Sequence, residues 1–211
     1  MNQVKIYLGM RGTGKSTNML NDLKMQSRVI VYDTLIEETY GGFRRITRFK
    51  DLCQAIKDNP SFFRIAYHGI DDGTEMEIDF DYATRAIYCC RNLVFAVEEI
   101  GLHCSSHKMP IGLQSIVAAG RHRDLSFFCT SQRASNVHPL IRALSTDIVS
   151  YHQDEPIDVQ CLAERMGEKA YGVKTLALHD CIKWNAYDSV NVHTQNPRVD
   201  NSGETSMIDT S

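Results

Sequence analysis

The chain has 211 residues, 43% of them hydrophobic, and a formal net charge of −3. That length holds one ordinary α/β domain with a tail and hardly two, and the apolar share is enough for a proper core, which excludes a chain disordered throughout. The charge balance excludes a globally basic nucleic-acid binder, so any DNA contact has to come from local patches or from assembly.

The first element is a short apolar run, Val4–Leu8, read as a buried strand. It breaks into Gly9-Met10-Arg11-Gly12-Thr13-Gly14-Lys15-Ser16-Thr17, the Gly-x-x-x-x-Gly-Lys-Ser pattern of a phosphate-cradling loop. The glycines let the backbone turn sharply and bring its N–H groups close to phosphate oxygens. Lys15 is a point charge for the β- and γ-phosphates, and the Ser16 hydroxyl is a ligand for Mg²⁺. Met19, Leu20 and Leu23 then recur at helical spacing, so a helix over 15–25 aims its positive N-terminus at the same anion. The pattern predicts binding of ATP with Mg²⁺.

Residues 28–33 form a second apolar strand ending in Asp33. Chemistry in α/β sheets gathers at carboxyl ends of strands, so Asp33 either lies near the nucleotide or is a polar strand terminus. Arg44, Arg45, Arg48 and Lys50 make a basic cluster, either a solvated face or a contact for DNA or another subunit. A short helix capped by Asp51 is expected over 51–58, a strand over 62–68, and a turn at 71–73. A helix over 79–92 would turn Ala83, Ala86, Ile87 and Cys90 inward.

The next strong signal is Leu-Val-Phe-Ala-Val-Glu-Glu-Ile at 93–100. A strand buried on both faces runs straight into two carboxylates, which cost desolvation and repulsion unless a cation or proton compensates. Mg²⁺–nucleotide supplies that cation. Glu98 is accordingly read as the residue holding the metal through water and Glu99 as the general base. His103, Cys104 and His107 lie in the following loop, without the fourth ligand and spacing of a zinc site. A helix over 111–120, a strand over 125–132, a helix over 136–144 with Pro139 in its first turn, a strand over 147–152 and a helix over 155–167 follow. Residues 174–185 read as a β-hairpin turning near His179-Asp180. The seven cysteines include no CxxC pair and read as reduced thiols. No secretory leader pattern or membrane-length apolar window is seen, which suggests the cytoplasm. An ATPase domain over 1–190 and a disordered tail over 191–211 complete the reading.

Strands alternating with helices predict a mostly parallel central sheet with helices on both faces. The stretch Gly120-Arg121-His122-Arg123-Asp124-Leu125-Ser126-Phe127-Phe128-Cys129-Thr130-Ser131-Gln132-Arg133 resembles the signature of the FtsK–HerA superfamily of DNA-translocating ATPases. Residues 137–142 and 146–149 resemble the same family's continuation. Within it, the small size most resembles the genome-packaging ATPases of tailless, membrane-containing viruses and phages.

The resemblance implies a RecA-like P-loop NTPase with an additional central strand, working on double-stranded DNA as a hexameric or pentameric ring. It implies a capsid portal or vertex partner, in the host cytoplasm or the virion. It further implies Gln132 as the polar sensor, and Arg121 as the finger completing a neighbouring subunit's site, with Arg133 and Arg123 as rivals. Where the family has Asp-Glu after the central strand, this chain has Glu98-Glu99. The alternatives are a phage assembly or secretion ATPase resembling the zonular occludens toxin group, and a plasmid or cellular HerA-like DNA pump.

Overall fold

The computed structural model describes residues 2–34, 36, 38–69 and 73–188. Eight strands are found among them: β1 (Val4–Leu8), β2 (Arg28–Tyr32), β3 (Arg44–Ile46), β4 (Phe63–Tyr67), β5 (Leu93–Val97), β6 (Leu125–Ser131), β7 (Asp147–Ser150) and β8 (Ile182–Asn185). They form one sheet in the order β3-β4-β2-β5-β6-β1-β7-β8. Every neighbouring pair is parallel except β7–β8. Strand β6 therefore lies between the loop-bearing strand β1 and the acidic strand β5. The α/β reading with an additional central strand holds.

Among the described residues the α-helices are α1 (Lys15–Lys24), α2 (Phe49–Asp58), α3 (Gly73–Tyr88), α4 (Ile111–Ala119), α5 (Pro139–Leu144) and α6 (Pro156–Met166). Period-2 alternation splits the apolar strand residues between two cores. On one face Tyr7, Val31, Ala96 and Phe128 pack with Met19, Leu20 and Leu23 of α1. On the other, Ile6, Ile30, Phe95 and Phe127 pack with Leu52, Phe80, Leu113, Ile141 and Leu162 from α2 to α6. Strand β5 is buried along its whole length, as expected of a strand covered on both faces.

Several sequence expectations are corrected. The basic cluster at 44–50 contains a short edge strand, β3, which a polar sequence conceals. Helix α2 starts at Phe49 with Arg48 at its N-cap, and Asp51 sits in its first turn rather than capping it. An acid there still complements the helix dipole. Helix α3 begins at Gly73, where a turn was expected, and ends at Tyr88, ahead of the left-handed Asn92. Residues 71 and 72 of that turn lie outside the described residues, as does the tail over 191–211.

The hairpin at 174–185 does not form. Of its first arm, Lys174 and Thr175 close a 3₁₀ stretch, Gly167–Thr175, anchored by the buried Ala170 and Val173, and residues 176–178 are not extended into a strand. Only Ile182–Asn185 is extended, and it pairs antiparallel with β7, placing Trp184 opposite Ile148. Burying Trp184 against the sheet edge, with the Arg165 guanidinium 5.2 Å over its ring, outweighs a local hairpin. Replacing Trp184 with Ala should lower the unfolding free energy by about 3 kcal/mol. Urea titration followed by circular dichroism measures this, and a loss under about 1 kcal/mol would show that β8 is only loosely docked.

Candidate nucleotide-binding and catalytic site

The parallel strands bring their carboxyl ends to one edge of the sheet, where β1 passes into the glycine loop. The Gly9 N–H donates to the Ser131 carbonyl (3.2 Å). A Cβ at Gly9 would lie 2.6 Å from Thr13 Oγ1 and 2.8 Å from Tyr151 Cβ, so no larger residue fits. Gly14 takes φ 97°, and α1 starts immediately after it with no side chain capping its first N–H groups. Those amides have no partner within the helix. A close-packed glycine backbone and an uncapped helix N-terminus are the donor set that an oligophosphate chain requires. A cleft of about 740 Å³ opens there, within the range of small-molecule sites. Arg11, Thr13, Gly14, Lys15, Ser16 and Thr17 are among its walls, and Met10 is half exposed at the tip of the loop.

Glu98 and Glu99 lie across from the loop, just beyond β5. Glu98 is only 3% exposed. Its carboxylate accepts hydrogen bonds from Thr130 Oγ1 (2.6 Å), Ser16 Oγ (3.3 Å) and the Tyr40 hydroxyl. Ser16 and Glu98, the two residues read as metal-holding, are thus together. A hydroxyl and a carboxylate are hard oxygen ligands that fit Mg²⁺.

Glu99 adopts a left-handed conformation, φ 48°, which turns its carboxylate away from that of Glu98. Glu99 Oε1 accepts from the Gln132 backbone N–H (3.2 Å) and Ser131 Oγ (3.4 Å). Thr130 joins the two acids, because its hydroxyl donates to Glu98 and accepts from the Glu99 N–H (2.9 Å). Gln132 has an exposed side chain, and its carbonyl accepts from Gln153 Nε2 (2.9 Å).

The arginines are separated. Arg133 binds the buried Asp158 in its own chain (2.9 Å). Arg121 is exposed in a 3₁₀ turn, Gly120–Arg123, ahead of β6, at the opposite edge of the sheet. Arg123 beside it lies 4.8 Å over the Tyr88 ring. Asp33 ends β2 fully buried and pairs with Arg45 of the basic cluster (3.1 Å).

Four residues of this edge escaped the sequence reading: Tyr40, Thr130, Tyr151 and His179. Tyr151, at the end of β7, donates to the Gly14 carbonyl (3.2 Å) and accepts from Asn18 Nδ2 (3.1 Å). Thr130 carried a faint signal, a hydroxyl in an otherwise apolar strand. The other three carried none, because their roles arise from strand order.

His103 lies within reach of this network. Thr34 Oγ1 sits 2.6 Å from its Nε2 and 3.4 Å from the Glu98 carbonyl, and its ring stacks on Phe80 at 4.2 Å. Burial lowers its pKa from 6.5 to about 4.

No family model matches the sequence, and no curated protein matches it. Solved structures do. The genome-packaging NTPase B204 from Sulfolobus turreted icosahedral virus 2, in complex with AMPPCP, superposes with a TM-score of 0.72 at 16% identity, over 89% of this chain and 94% of that one. Its complex with AMP gives 0.71 at 15% identity. VirB4 of Thermoanaerobacter pseudethanolicus gives 0.57 at 12% identity, over 86% of each chain. The chain therefore shares its fold with B204 and VirB4. Its glycine loop and its acidic strand lie on the two sides of β6.

A measurement of stability against pH tests the His103 environment. The unfolded state takes up a proton near pH 6.5 and the folded state near 4. The stabilisation is therefore complete above the unfolded value and is lost as pH falls through this window, by up to about 3 kcal/mol. His103→Asn should flatten the unfolding free energy between pH 6.5 and 4 relative to wild type. Parallel profiles would place the imidazole in contact with water.

Proposed function

We propose that the chain is an ATP-hydrolysing motor that moves double-stranded DNA, acting as a homo-oligomeric ring that packages a genome into a preformed capsid. The observation that carries the ATPase reading is the approach of Ser16 on the loop to Glu98 on the acidic strand, 3.3 Å apart, with the next carboxylate, Glu99, held by Ser131 and the Gln132 N–H. DNA and packaging rest on the fold shared with B204. The nucleotide-binding loop runs from Gly9 to Thr17, the ATPase domain is assigned to 1–190, and the tail over 191–211 lies outside it.

Backbone N–H groups of residues 12–17 bind the phosphates, and Lys15 neutralises the developing charge on the transferred phosphoryl group. Mg²⁺ on Ser16, and through water on Glu98, would add further charge neutralisation. Glu99 orients water and accepts its proton as the water oxygen bonds to the γ-phosphorus and the bond to the β–γ bridging oxygen breaks. Ser131 and the Gln132 N–H fix that carboxylate. Because Gln132 follows β6 directly, movement of Glu99 after phosphate loss shifts the Gln132 backbone, a route from chemistry to DNA-moving segments. Arg44, Arg48 and Lys50, exposed on the edge-strand side, are assigned to the DNA channel.

The finger arginine acts from a neighbour. At the amino-terminal edge of the sheet Arg28, Arg64, Arg91, Arg121 and Arg123 form no ion pair with any carboxylate among the described residues. Placing that edge against the next subunit's nucleotide supplies Arg121 in trans. Arg133 is engaged with Asp158 at home.

Two experiments test the reading. Glu99→Gln should retain ATP binding and cut DNA-stimulated turnover by roughly 10²–10⁴-fold, while Lys15→Ala should lose binding. Tight nucleotide binding by the Lys15 variant, or equal turnover in wild type and Glu99→Gln, would remove the ATPase assignment. Mixing Arg121→Ala with Glu99→Gln subunits should restore activity at mixed interfaces, since each site needs one intact contribution from either side. Absence of rescue at every ratio would place Arg121 outside the site.

A further inference from the structure

The loop has two flanks along the carboxyl edge of the sheet, fixed by strand order. Glu98 and Glu99 follow β5, two strands to one side of β1. Tyr151 follows β7, and residue 179 lies just ahead of β8, one and two strands to the other side. At about 4.8 Å per strand, this places the acids and the β8 segment roughly 10 Å to either side of the loop. The two flanks together are long enough for a whole nucleotide. Ser16 and Glu98 mark the γ-phosphate end, so residues on the β7–β8 side face the nucleoside.

His179 stands at that second end. It lines the cleft together with Asn18, Asn21 and Tyr151, and its Nδ1 lies 3.2 Å from the Thr13 carbonyl oxygen. A carbonyl only accepts, so Nδ1 carries the proton, and in the neutral ring Nε2 is an acceptor. Among the described residues no hydrogen bond reaches that Nε2, whereas the Tyr151 hydroxyl is already used by Gly14 and Asn18. The backbone at His179 is left-handed, φ 73°, a conformation that costs a non-glycine residue of order 1 kcal/mol and clusters at ligand sites.

We propose that His179 is a nucleoside-contacting residue of the cleft: its Nδ1–H holds the Thr13 carbonyl, and its Nε2 accepts a hydrogen bond from a hydroxyl or amine of the nucleoside. The proposal rests on the nucleotide reading of the site. It predicts that the side chain matters for the nucleoside half of the ligand and not for the phosphate half.

The experiment compares the full chain with His179→Asn by titration calorimetry, using two probes with Mg²⁺: AMPPNP and inorganic tripolyphosphate. Asparagine tolerates the left-handed backbone and places an amide N–H where Nδ1 was, so the Thr13 contact survives and only the Nε2 acceptor is lost. The expected result is AMPPNP affinity weakened about 10-fold, equivalent to about 1.4 kcal/mol, with tripolyphosphate affinity unchanged within about twofold. Unchanged AMPPNP affinity would overturn the proposal, and so would equal weakening of both probes, which marks a brace for the loop. Lys15→Ala serves as the control: if wild type and Lys15→Ala alike bind neither probe, the nucleotide reading itself fails, and the proposal with it.

Discussion

The arrangement depends on keeping one carboxylate out of water. Glu98 is almost fully buried, and an ionised carboxylate there costs several kcal/mol in desolvation. Three hydroxyls offset that cost, and each comes from a different segment: Ser16 from the first turn of α1, Tyr40 from the connection between β2 and β3, and Thr130 from β6. Hydrogen bonds to a charged acceptor are worth about 1.5–3 kcal/mol each. The carboxylate therefore ties the phosphate loop, the acidic strand and the intervening strand into one rigid unit. A change in any of the three is felt by the others.

The place of β6 makes this possible. Its register with β5, Val97 opposite Cys129, carries Thr130 level with the acids, where one hydroxyl serves both Glu98 and the Glu99 amide. The same strand holds the loop two strand spacings from β5, and Ser16 reaches back across it. The left-handed turn at Glu99 then directs the second carboxylate onto Ser131 and the Gln132 amide. Two adjacent acids in sequence thus obtain separate surroundings: one is sealed among the hydroxyls of Ser16, Tyr40 and Thr130, and the other is only partly buried.

Much of the fold was legible because its signals are local. A five-residue apolar run before a glycine loop, and another before two acids, need no tertiary information. Both were placed to within a residue of β1 and β5. The phosphate loop was legible for the same reason, since Gly9 to Ser16 is contiguous. What could not be read depends on partners distant in sequence. Tyr40 is an ordinary loop tyrosine until β2 and β5 lie side by side. Asp33 could have faced the nucleotide, but Arg45 on a strand concealed in a basic run claims it. Residues 174–185 read as a hairpin, but the open edge of β7 took 182–185 as its partner, and Lys174 and Thr175 close the 3₁₀ stretch that buries Ala170 and Val173.

The two edges of the sheet differ in kind, and that difference constrains assembly. The carboxyl-end edge carries the loop and both acids; the amino-end edge carries arginines without ion pairs among the described residues. Strand β6 has seven residues, so Arg121 lies roughly 20 Å from its own Gln132, too far to touch a nucleotide in the same chain. Under the reading proposed above, a nucleotide that Arg121 reaches therefore belongs to another copy, and the contact joins unlike edges of the sheet. Repeated head to tail, such a contact closes as a ring or continues as a filament. In a two-fold pair each copy would have to give its arginine to the other's site at the same time, which requires both edges of the sheet to meet in one interface. The roughly 20 Å between those edges is the distance that any assembly supplying Arg121 in trans has to span.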